Sequence, residues 1–237
     1  MVRGCTSVLA ERTTAPTVQG HTASVHGALM ETDAAFWDKI ADDYAKRPWP
    51  CPEATARKLA LTRAMLAPEH RLLDLGCGTG TILIDLAPAV SEAVGVDVSP
   101  VMIRIAEGKA AAAGSKATFR VEPAAMLDGV PDASFHCVCA FNLLHLVPDP
   151  PALLRAIERV LVPGGVLVAS TPCLGGVWFP PYAILLPIMR WVGKAPAVTL
   201  IAPAELRAMV EAAGFVQTQA PDVGQAAPDV FLVARKR

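Results

Sequence analysis

A chain of 237 residues, 53% hydrophobic and with a formal net charge of -1, is long enough to bury the core of one α/β domain. Its cations are scattered, apart from Arg235-Lys236-Arg237 at the end, so there is no basic face and nucleic acid is not an expected partner. The six cysteines include no C-x-x-C pair and no close Cys/His set, so no metal is expected, and reduced thiols fit a cytoplasmic setting.

Residues 1–29 mix Thr, Ala, Ser, Val, Gly and His without periodicity. They are expected to form a disordered extension ahead of a single domain over 30–237, with Met1 or Met30 as the start. They lack the apolar core of a secretory signal; Arg3 and Arg12 leave a transit peptide as an alternative, against which the segment is weakly basic and includes Glu11. From Ala34 to Ala45, Phe36, Trp37, Ile40 and Tyr44 recur at three- and four-residue steps, which predicts a helix. Pro48 and Pro50 end it.

The run Leu72-Leu73-Asp74-Leu75-Gly76-Cys77-Gly78-Thr79-Gly80 reads as a buried strand entering a loop too tight for side chains, with a helix starting at Thr81. Glycine permits positive φ and lets a ligand approach bare backbone, while the helix start aims free amides at it. Thr81 stands where a dinucleotide loop has its third glycine, and no Gly-Lys-Ser/Thr follows to make a P-loop. Ala93-Val94-Gly95-Val96-Asp97 is a second buried strand ending in an acid. Asp97 stands at the spacing at which nucleotide folds place a carboxylate on ribose hydroxyls. Its other reading is the cap of a neighbouring turn. Ser99-Pro100 forms an N-cap with proline at the first helical position.

Asp132-Ala133-Ser134-Phe135 leads into a further strand, with Cys137 and Cys139 on one face. Their default role is that of small hydrophobes, and the rival is a thiol site for a soft metalloid or sulfur substrate. Val160 to Met189 carries no charged side chain. However, Pro163-Gly164-Gly165, Gly175-Gly176, Pro180-Pro181 and Pro187 break it too often for a membrane span. The stretch 174–201, with Trp178, Phe179, Tyr182, Ile184, Leu185, Leu186, Met189 and Trp191, is expected to be an apolar insertion covering a site. Its alternatives are a dimer interface or a peripheral membrane contact. Helix 203–213, with Leu206, Met209, Val210 and Ala213 inward, and strands at Phe215-Val216 and 230–234 complete the scaffold.

Leu73 to Gly80 with Val94 to Ser99 closely resembles the class I S-adenosylmethionine-dependent methyltransferases that act on small molecules. Asn142-Leu143-Leu144-His145-Leu146-Val147-Pro148 is similar to that family's fourth motif, and 153–168 is similar to its helix, Pro-Gly-Gly turn and fifth strand. The resemblance runs from about Phe36 to Val168 and thins beyond. It implies a Rossmann-like, seven-stranded, mostly parallel sheet flanked by helices, an N-terminal helical lid, and an apolar insertion after the fifth strand. It also implies S-adenosylmethionine as the methyl donor. Tyr44, Asp74, Gly76, Cys77, Gly78, Thr79, Gly80, Asp97, Val98, Asn142 and Leu143 are the implied donor-binding residues.

Where relatives carry an acid for adenine, this chain has Pro123, leaving Glu122 beside it and apolar Ala124 and Ala125 as contacts. His136 likewise stands where many relatives have Asp. The sulfonium donor needs positioning more than covalent help, and a base only when the acceptor must lose a proton. His145, at the end of the fourth strand, is the candidate base, with a structural hydrogen bond as its other reading. Tyr44 is the candidate lid aromatic. The expected acceptor is a small hydrophobic metabolite (lipid-like, isoprenoid or aromatic), and the protein a monomer or homodimer. A non-catalytic donor-binding subunit that docks a partner through its apolar segment is the alternative.

Overall fold

The structure is a computed structural model, and it describes residues 34–175, 189, 195–225 and 228–237. The expected disordered extension lies outside these residues. So does the expected apolar insertion, apart from Leu174 and Gly175 at its start, Met189, and 195–201.

Helix α1 spans 34–46, and α2 spans Pro52–Arg63. The chain then alternates β1 (Arg71–Leu75), α3 (Thr81–Leu86), β2 (Glu92–Asp97), α4 (Pro100–Ala113), β3 (Thr118–Val121) and β4 (Phe135–Phe141). It continues with α5 (Pro150–Val160), β5 (Leu161–Pro172), α6 (Pro203–Ala212), β6 (Phe215–Gln219) and β7 (Asp229–Lys236). The seven strands lie in the order β3-β2-β1-β4-β5-β7-β6. The first five pair in parallel, while β7 runs antiparallel to β5 and to β6. This is the mostly parallel, Rossmann-like sheet expected from the resemblance.

Because β1 is covered on both faces, it is buried from Leu72 to Leu75 without a polar alternate, as central parallel strands are. Leu73 and Leu75 pack with Val138, Leu154, Ile157 and Leu167 on the α5/α6 side. Leu72 packs with Leu83, Leu86, Val168 and Phe231 on the other side. Cys137 and Cys139 sit in that second cluster as small buried hydrophobes, and no described cysteine is paired. The Pro163-Gly164-Gly165 turn lies inside β5. Phe135 pairs with Leu161 and Cys137 with Val166, so four residues of β5 stand opposite the single His136 and the register shifts by three.

The helix start at Ser99 matches the sequence reading, and a second start follows the same pattern. The Ser99 hydroxyl accepts from Met102 N at 3.0 Å, and the Asp149 carboxylate accepts from Ala152 N at 2.8 Å, each followed by proline. The chain crosses from β1 toward β2 and β3 on one side and returns to β4 on the other. The crevice opens at the carboxyl ends of β1 and β4, where such folds bind ligands. No described helix is long and apolar enough to cross a membrane.

Gly80 shows how closely α3, α4 and β3 meet. Its φ is +73°, and a Cβ there would lie 2.8 Å from Ala106 Cβ and 2.8 Å from the Phe119 ring. Gly114 shares the left-handed conformation, at φ +60°, but faces open space. We expect Gly80→Ala to cost about 3 kcal/mol, combining left-handed strain with overpacking. Gly114→Ala should cost about 1 kcal/mol, from backbone strain alone. Denaturant unfolding of the two variants measures the difference.

Candidate functional site

Beyond β1 the backbone takes positive φ at Gly76, Gly78 and Gly80, alternating with Cys77 and Thr79. A Cβ on Gly76 would fall 2.9 Å from Leu143 Cδ1, so the loop packs directly against the turn after β4. Cys77 N donates to Val96 O at 3.0 Å, and Gly80 N to Cys77 O at 3.0 Å. The Asp97 carboxylate ties the loop to β2: Oδ2 accepts from Gly78 N and Oδ1 from Ser99 N, both at 2.9 Å. Asp97 thus does cap the turn that follows it, while still facing the crevice.

Ser99 extends this link to the lid. Its hydroxyl donates to Asp38 Oδ1 at 2.5 Å, and Val101 N donates to the same oxygen at 3.2 Å. An α1 carboxylate therefore sits at the N-terminus of α4, where the helix dipole favours negative charge. This holds α1 across the crevice. On α1, Trp37 and Tyr44 meet edge to face with centroids 6.4 Å apart. Across the crevice, Asn142 leaves β4 at φ +54°, with its N–H on Ser170 O at 2.7 Å.

Two adjoining hollows result. The first, of about 420 Å³, is lined at one end by Asp97, Val98, Met102 and the run Pro123, Ala124 and Ala125. At its other end stand Leu143, His145, Leu146, Val147, Pro196 and Val198. The second, of about 480 Å³, is lined by Asp74, Cys77, Thr79, Thr81, Arg47 and Lys109. Tyr44, Gly76, Gly78, Phe141 and Asn142 face both. Two residues singled out in the sequence line neither hollow. Gly80 is turned into the α4 packing, and Glu122 contributes its N–H to Asp97 O at 3.0 Å. Asp38, Arg47, Met102 and Lys109 had no sequence signal, because each is an ordinary helix or loop residue brought in by folding.

Burial dominates the electrostatics. Asp74 is 2% exposed, and no described residue hydrogen-bonds its carboxyl. Desolvation, with Asp97 nearby, pushes its pKa up to about 8. Desolvation also raises Asp97, against the opposing pull of its backbone N–H donors. Tyr44 is raised by burial and by Asp97, and Cys77 by burial and the same two acids. His145 is pushed down to about 4 by burial, and its Nδ1 is buried without a partner among the described residues. No described group of His, Cys, Asp and Glu could hold a metal ion.

A molecule with a sulfonium, an α-ammonium and an adenosine fits these features. The uncompensated acids favour the cations, Asp97 can accept from a diol, and the Pro123–Ala125 wall is apolar. The Asp74 shift has a stability consequence. The folded protein holds a proton on Asp74 that the unfolded chain releases near pH 4, so free-protein stability falls as pH rises from about 4 to about 8. We expect Asp74→Asn to flatten that fall, measured as Tm against pH.

Residues 47–220 match the family described as Methyltransferase domain. A ubiquinone biosynthesis O-methyltransferase of Xanthomonas euvesicatoria pv. vesicatoria (strain 85-10) is 30% identical over 150 residues, 63% of this chain and 62% of that protein. The match therefore spans about three-fifths of the relative's length. An S-adenosylmethionine-dependent methyltransferase of Thermotoga maritima superposes with a TM-score of 0.63 at 18% identity, over 86% of this chain and 99% of that one. The [4+2]-cyclase SpnF gives 0.61 at 22% identity, over 77% and 81%. At such identities the two structures speak to the fold alone. On its glycine loop, strand order and family match, the chain belongs to the methyltransferase-domain family, in its class I S-adenosylmethionine-dependent form.

Proposed function

We propose that the protein transfers the methyl group of S-adenosylmethionine to an oxygen on a small, apolar acceptor, of aromatic or isoprenoid character. The observation that carries this reading is the division of the first hollow. Its donor end has Asp97 and the glycine loop, while its far end is walled by Leu146, Val147, Pro148, Pro196 and Val198, none of them charged. An acceptor with its own carboxylate or ammonium would be desolvated there without a partner. The O-methyltransferase relative agrees with oxygen as the accepting atom.

The donor supplies an activated methyl group, and the residues of this chain supply placement. Asp74 and Asp97 face the cationic and ribose parts of the donor. Gly76, Gly78, Val98, Asn142 and Leu143 give close backbone or apolar walls. The Pro123, Ala124 and Ala125 run receives adenine by packing, and Glu122 is not used. Tyr44 closes the crevice between the two hollows, placing its ring and hydroxyl beside the methyl path. Positioning of this kind can supply much of the acceleration of an in-line displacement.

His145 serves as the proton acceptor. Burial keeps the imidazole neutral at physiological pH, and Nδ1 is enclosed, so Nε2 is the nitrogen that can meet an acceptor hydroxyl. Thr199 N donates to His145 O at 2.7 Å and Thr199 Oγ1 to Val147 O at 3.2 Å, which holds the Pro196–Val198 wall against the histidine turn.

Incubation with methyl-labelled donor and a lipid-soluble metabolite extract, followed by identification of the labelled product, tests the reading. Label should enter an organic-soluble hydroxyl compound as a methyl ether. His145→Gln should lower turnover about 100-fold with donor affinity retained. The wild-type rate should show no inflection near pH 6.5 from this histidine, because it stays neutral down to about pH 4. Full turnover by the variant across pH removes His145 from the chemistry. Saturable donor binding with no labelled product in any extract favours the non-catalytic donor-binding alternative.

A further inference from the structure

The second hollow contains a cation with no acidic partner among the described residues. Lys109, on α4, reaches back over the start of α3 and places Nζ 2.9 Å from Thr79 Oγ1 and 3.1 Å from Thr81 Oγ1. Lys109 and Arg47 are absent from the ion pairs of the described residues, and both line this hollow together with Asp74. An ammonium has three N–H donors, so two bonds to threonine hydroxyls leave one free.

The methyl donor ends in an amino acid, whose ammonium and carboxylate must both find partners on leaving water. Asp74 is a buried acid without a hydrogen-bond donor among the described residues, suited to the ammonium. We propose that Lys109 Nζ, steadied by Thr79 and Thr81, receives the donor's α-carboxylate. This inference rests on donor binding in the crevice and adds to it a residue outside the glycine loop.

Arg47 is the competing cation. It is exposed, follows the end of α1, and makes no side-chain hydrogen bond to a described residue. A ligand that recruited it would have to order a long free side chain. Lys109 is already held by two bonds to the loop that carries the rest of the site, so less freedom is lost on binding. Desolvation lowers the Lys109 pKa, the sense expected of an ammonium drawn from water with no anion beside it. A carboxylate arriving at Nζ supplies that anion.

Two nucleosides separate tail recognition from general damage to the loop. S-adenosylhomocysteine carries the amino-acid tail, and 5′-methylthioadenosine has the same adenosine and sulfur without it. Calorimetry with wild type, Lys109→Met, Lys109→Arg and Arg47→Met reads both affinities. Lys109→Met should weaken S-adenosylhomocysteine about 10- to 100-fold, the range for a hydrogen bond to a charged group, and leave 5′-methylthioadenosine unchanged. Lys109→Arg should restore most of the loss, and Arg47→Met should have the smaller effect. Equal weakening of both nucleosides by Lys109→Met shows a loop clamp and overturns the proposal, as does a loss confined to Arg47→Met. A wild-type protein that binds neither nucleoside overturns the donor reading itself, and the role of Lys109 with it.

Discussion

The site depends on the paired acceptance by Asp97 of the Gly78 and Ser99 amides. One carboxylate at the end of β2 fixes the middle of the glycine loop and the entry to α4. Through the Ser99 hydroxyl it also reaches Asp38 and so the lid helix. The glycine loop, the start of α4 and the lid helix are thus linked at one edge of the sheet by Asp97 together with the Ser99–Asp38 hydrogen bond. Without that tie, the loop would keep its permissive glycines but lose the shape that lets a ligand lie on bare backbone.

The same edge stores electrostatic cost. Asp74 and Asp97 are both buried, and neither is in an ion pair among the described residues. At Asp97 the backbone amides oppose the effect of burial, which still raises its pKa, whereas Asp74 has no such donor and is pushed up to about 8. A buried acid without a partner weakens a free protein and strengthens a complex that brings positive charge. The apolar far end of the first hollow has the opposite character. The crevice thus offers buried acids at one end and an uncharged wall at the other, the division on which the proposed placement of donor and acceptor rests.

What the sequence disclosed and what it withheld divide along distance in the chain. The glycine loop and the Ser99 cap announce themselves within a few residues, because tight turns and helix starts demand particular residue types locally, whereas Asp97 is read from its spacing to that loop and Asn142 from the family resemblance. The covering helix was visible in the spacing of Phe36, Trp37, Ile40 and Tyr44. Asp38 and Lys109 were not visible, since their partners lie 61 and 30 residues away and an acid or lysine on a helix usually meets water. Glu122 lines neither hollow for a related reason: adjacency to Pro123 in sequence does not turn its side chain toward them. The placement of β7 between β5 and β6 was not legible in the sequence. An apolar run has the same pattern in any sheet position.

The central claim is that Asp74 holds a proton in the free protein and gives it up to a ligand carrying an ammonium. Calorimetric titration with S-adenosylhomocysteine in buffers of different ionisation enthalpy counts the protons exchanged. Release of about one proton near pH 6.5, with affinity rising toward pH 8 and levelling beyond, is the result this account predicts. Binding with no proton release, at an affinity constant from pH 6 to pH 8, would contradict it.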